Sequence, residues 1–124
     1  MSDVVTLFRP TGPAEYLLIA ATGFRRWPPR LPGQPFFYPV SNAEYAVQIA
    51  RDWNVKDSGF GCVTRFTVRA DFMGQYPQQT VGARSHTEWW IPAADLEALN
   101  DNIVGTIEIT HEFGARPEAI RAAD

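Results

Sequence analysis

The sequence predicts an α+β domain built on small, mixed or mostly antiparallel sheets with short flanking helices. Three observations carry this. Apolar and polar residues alternate through residues 62–69 and again through 103–113, the period of half-buried strands. Helical spacing is confined to short stretches, each marked by a start or stop signal. The elements fall in the order strand, helix, loop, strand, helix, strand, helical turn, strand, helix, strand, with no internal repeat.

Residues 4–9 are rich in β-formers and read as a short strand ending in Arg9. A helix follows, with Thr11 or Gly12 as cap, Pro13 in the first turn and Gly23 as terminator. Residues 24–35 hold four prolines and three arginines, so they read as an irregular, partly polyproline loop around Trp27. Trp27 either packs onto the core or faces a ligand. Residues 36–40 form the next strand, with Tyr38 at its centre. Ser41 and Glu44 have capping-box spacing ahead of a helix to Asn54, whose stripe is Ala43, Ala46, Val47, Ala50 and Trp53. Residues 71–76 suggest one helical turn. A strand over 86–92 ends at Pro92, and a short helix over 93–100 leads into the last strand.

All 124 residues fit a single domain, with 113–124 expected to fray. The net charge of −3 argues against phosphate-neutralising nucleic-acid binding. The one cysteine, Cys62, forms no intrachain disulfide and belongs to no zinc spacing, which suits a cytoplasmic protein. No apolar run spans a membrane, no signal peptide is visible, and no metal site is expected. Glycine-rich phosphate loops are absent.

Three polar side chains stand where burial is expected: Arg9, Tyr38 and Glu88. Buried charge is costly unless paired or used, and three such groups on three strands suggest a polar cleft. Glu88 precedes two tryptophans, and His86, two residues earlier, shares its strand face. An edge strand with His86 and Glu88 facing solvent is the alternative.

The segments Phe8-Arg9-Pro10, Pro28-Pro29-Arg30-Leu31-Pro32, Phe37-Tyr38-Pro39-Val40, the stretch 45–54 and Trp90-Ile91-Pro92-Ala93 give the chain a resemblance. From Val5 to Phe113 it resembles a family of short bacterial proteins labelled "ADP-ribosylation/crystallin J1". Its strand-end Arg9, Tyr38 strand and late Glu88 strand resemble the ADP-ribosyltransferase superfamily. The resemblance implies an ADP-ribosyltransferase-like fold and NAD as substrate. It implies ADP-ribose transfer to an acceptor (protein, nucleic acid or small molecule) or hydrolysis of NAD. Under it, Arg9 holds the diphosphate or ribose, and Tyr38 packs against the nicotinamide side. Glu88 steadies the oxocarbenium-like state. Ser41, Tyr45, His86 and Trp27 complete the cofactor contacts. His86 stands where many protein-modifying members carry Gln or Glu, so arginine-directed transfer is not implied. The alternative is a non-catalytic nucleotide-binding or protein-interaction module on the same fold.

Overall fold

A computed structural model describes residues 3–80 and 87–117. Three strands form its main sheet: β1 (Val4–Thr11), β3 (Phe60–Arg69) and β7 (Ile103–Gly114), with β3 central. Two short antiparallel pairs extend it. β2 (Phe36–Phe37) pairs with β6 (Ile91–Pro92), and β4 (Gln78–Thr80) pairs with β5 (Thr87–Trp89). Single bridges Phe8–Val40 and Val40–Glu88 tie these pairs to β1. Backbone bonds from Ala93 to Pro35 (2.8 Å), Trp89 to Pro39 (2.9 Å) and Ser41 to Thr87 (3.1 Å) keep one register from residue 35 to 41. Every strand pair is antiparallel, so the fold is α+β with small antiparallel sheets.

Residues opposite each other in an antiparallel ladder project to the same side. On one side Leu7, Phe37, Phe66, Val68, Trp89 and Ile91 meet Trp27, Leu96 and Leu99 in the principal core. On the other side Phe8, Val40 and Val63 lie under Ala46 and Ala50 of the long helical segment.

The helices follow their local signals, with three shifts. α1 (Pro13–Ala20) starts on Pro13 after Gly12, and the chain turns out through Gly23 at φ 75°. α2 (Ala43–Ile49) is capped by Asn42, whose side chain accepts from the Tyr45 amide at 2.9 Å. Ser41 does not form the expected capping box. It lies in the strand register, and its hydroxyl meets that of Thr87. After Ile49 the helix widens into a π turn, Ala50–Asn54, and closes with α3 (Val55–Ser58), stopped by Gly59 at φ 80°. The helical run is therefore four residues longer than expected, because Asn54 brings no breaker. A wide turn adds a residue to each revolution. Asn54 then sits inward where a regular helix would place Trp53, and Trp53 swings out to 72% exposure. α4 (Ala70–Met73) starts one residue earlier than the expected turn, and a 3₁₀ turn over Ala93–Asp95 leads into α5 (Leu96–Asp101).

Trp27 holds the loop over 24–35 to the core. Its amide donates to Asn100 Oδ1 at 2.8 Å, and Asn100 Nδ2 returns a bond to the Trp27 carbonyl at 3.0 Å. No described helix is long and apolar enough to cross a membrane.

Small residues let the helix touch the sheet. A Cβ on Gly61 would overlap the Ala50 carbonyl oxygen and reach 2.6 Å from Asn54 Cβ. Neither neighbour is a flexible side-chain tip, so helix and strand must separate. Gly61→Ala is expected to cost about 2–3 kcal/mol in urea unfolding. Gly74→Ala, where an added Cβ meets ordinary contacts from 3.4 Å outward, should stay within about 1 kcal/mol of the parent.

Candidate functional site

Arg9 follows Phe8 on β1, so its side chain lies on the core side with Leu7, away from Val40 and Glu88. It makes a two-pronged bond to Glu15, Nε to Oε1 at 2.9 Å and Nη2 to Oε2 at 3.1 Å. Its guanidinium also lies 4.5 Å from the Phe37 ring centroid and 5.7 Å from that of Trp27. Arg30 reaches the same carboxylate, Nη1 to Oε2 at 3.5 Å, and its Nε donates to the Phe36 carbonyl at 3.0 Å. Arg9 is thus a partnered charge in a three-membered ion cluster.

Glu88 and Tyr38 share the opposite side. The register sets Phe36 against Pro92 and Val40 against Glu88, which puts Tyr38 against Trp90. The rings of Tyr38 and Trp90 stand nearly perpendicular with centroids 6.2 Å apart. Phe36 closes a triangle at 6.0 Å from Tyr38 and 6.1 Å from Trp90. Tyr38 is 38% and Trp90 42% exposed. Trp90 Nε1 donates to Glu88 Oε1 at 3.0 Å. Tyr45, at the start of α2, borders this patch: its burial, then the Glu88 carboxylate, push its phenol up. Farther along the same helix run, Ile49 and Trp53 continue an apolar strip beside Tyr45.

The structure therefore brings Tyr38, Glu88 and Tyr45 to one face; Ser41, one residue past Val40, has its hydroxyl on Thr87 instead. It does not bring Arg9 there. Trp27 is an interior residue at 1% exposure, so no exposed aromatic patch surrounds it. His86 lies outside the described residues. Phe36, Trp90, Glu15 and Arg30 matter more than the sequence suggested. Period-two spacing, Phe36 with Tyr38 and Glu88 with Trp90, could have revealed the first two. The pairing of Glu15 with Arg9 and Arg30 crosses loops of unknown path and leaves no local signal. Among the described residues no cluster of metal-ligating side chains forms.

Cys62 is not an activated nucleophile. Burial first, then the Glu112 and Glu15 carboxylates, push its thiol up to about 12. The folded thiol titrates above the unfolded one, near 8.5. The folded state thus has its full advantage below the unfolded value and loses it as pH rises toward 12. A thiol reagent at pH 8 should label Cys62 no faster than global unfolding, and at once in denaturant.

Glu15 faces two guanidiniums at 13% and 12% side-chain exposure. Removing its charge leaves both without a counter-ion. Glu15→Gln should cost about 3–5 kcal/mol in chemical denaturation, and Glu88→Gln, on the open face, less than about 1 kcal/mol. No protein-family model, curated protein or solved structure matches this chain.

Proposed function

We propose that this chain is a binding module whose recognition surface is the aromatic and carboxylate face of Phe36, Tyr38, Trp90 and Glu88. One observation carries the reading: the rings stand exposed in a mutual cluster with Glu88 bonded to Trp90, whereas Arg9 is turned away and held by Glu15. Tyr and Trp supply large contact area at small entropic cost and dominate binding energy at interfaces. Ring faces attract cations, and Glu88 adds a counter-charge beside them. The net charge of −3 favours the same sign of partner. The ligand class is a basic segment of a partner protein, with an Arg or Lys side chain seated against Trp90.

A second reading is favoured by Tyr38, Tyr45 and Glu88 sharing one face. The nicotinamide of NAD is a flat cation, so the same surface chemistry suits it. In this reading the fold is ADP-ribosyltransferase-like. Glu88 would accept from the ribose 2′-hydroxyl and steady the positive charge that develops as nicotinamide leaves. Transfer would go to a protein, nucleic acid or small molecule, or to water. The Arg9 fork is occupied by Glu15, so this reading rests on Glu88 and Tyr38.

One set of samples separates the two: parent, Trp90→Ala and Glu88→Gln, titrated with an Arg/Lys-rich peptide and incubated with NAD. The binding-module reading expects peptide binding that weakens about tenfold or more in Trp90→Ala, with no nicotinamide released. NAD binding with nicotinamide release that vanishes in Glu88→Gln would establish the second. Binding of neither ligand would overturn both.

A further inference from the structure

A cavity of about 360 Å³ opens between the start of α1, the 28–34 segment and residues 54–58, and none of Phe36, Tyr38, Glu88 and Trp90 lines it. Its size lies in the range of small-molecule sites. We infer that it binds a small organic carboxylate, gripped by the Arg30 guanidinium and covered by the apolar side chains of Leu18 and Leu31.

The charge count comes first. Arg9 and Arg30 share a single carboxylate, Glu15, and all three side chains are less than one-fifth exposed. The cluster therefore carries one unmatched positive charge in a place where solvent compensates poorly. Hydrogen bonds point the same way. Glu15 takes two strong bonds from Arg9 and only a long one from Arg30. Arg30 Nη2 donates to nothing among the described residues, and a guanidinium presents a fork that a second carboxylate would fit. Burial and the Arg9 charge both lower the Arg30 pKa, as an incomplete ion set would. α1 adds to this. It is eight residues long, starts on Pro13 with Gly12 as a cap that offers no side chain, and its first turn lines the cavity. The free N–H groups and positive helix end there favour an anion.

The walls define the rest of the ligand. Leu18 and Leu31 are exposed beside Pro28 and Pro29, which suits an apolar body behind the carboxylate. Asp57 also lines the cavity, but it is solvent-exposed and accepts from Ser58 Oγ at 2.8 Å. Its screened charge opposes a polyanion more than a monoanion. One unmatched positive charge and one acidic rim residue select a single negative charge.

The test is calorimetric titration of the parent protein with benzoate, benzyl alcohol and pyrophosphate, repeated on Arg30→Gln. The expected result is saturable benzoate binding, none for the neutral alcohol, weaker binding for pyrophosphate, and about a tenfold or larger loss in Arg30→Gln measured at a temperature where the variant is fully folded. Should that variant fail to fold, Arg30→Lys keeps the charge, breaks the fork and is held to the same tenfold criterion. Absence of saturable benzoate binding by the folded parent, or equal binding by the folded variant, would overturn the site. Tighter pyrophosphate binding would overturn the carboxylate assignment.

Discussion

The two hydrogen bonds between Trp27 and Asn100 hold the least regular part of the chain in place. Residues 24–35 carry four prolines and cannot build a ladder of their own. Asn100, itself buried, supplies both the acceptor and the donor that a neighbouring strand would otherwise offer. With its backbone satisfied there, the Trp27 ring settles between Phe37 at 5.2 Å and Phe66 at 5.1 Å. The loop then has only three residues in which to travel before Arg30 meets the Phe36 carbonyl and Glu15. The position of Arg30 and the wall of the adjacent cavity both follow from that anchor. One stabilising opportunity is left unused: Trp27 Nε1 is buried with no protein partner among the described residues.

Strand parity divides the molecule chemically. Leu7 and Arg9 face one way and Phe8 the other, so neighbours on β1 serve different layers. On the Arg9 side, charge is buried and must be matched within the fold. On the Glu88 side, the helix covers Phe8, Val40 and Val63 but stops short of Tyr38 and Trp90. Large rings there remain in water beside a carboxylate. The buried ion cluster and the exposed aromatic–carboxylate cluster therefore occupy opposite layers.

Much of the fold was legible from local patterns. Strands β1, β3 and β7 follow runs of β-formers or clean alternation, and Pro13 and Gly23 bracket the first helix. β4 was missed because Gln78, Gln79 and Thr80 carry no apolar periodicity; β5 recruits them as an edge. Ser41 lost its capping role because its backbone and hydroxyl were claimed across the ladder. Trp53 left its stripe because the π turn altered the phase, a shift that no residue type announces. For the site, Tyr38 and Glu88 were found as awkward residues in apolar strands. Arg9 looked equally awkward, yet its partner Glu15 sits across a turn, and sequence spacing alone could not distinguish a satisfied ion pair from an available one.

The four tryptophans divide evenly by surroundings. Trp27 and Trp89 are interior, whereas Trp53 and Trp90 meet solvent. The protein consequently carries two optical reporters of different meaning. Blue-shifted emission, shielded from collisional quenchers, comes from the pair that senses core packing. Red-shifted, readily quenched emission comes from the exposed pair, Trp90 in the aromatic cluster and Trp53 on the helical run beside Tyr45. A change confined to the second population would report on the outer surface without any change in the fold beneath it.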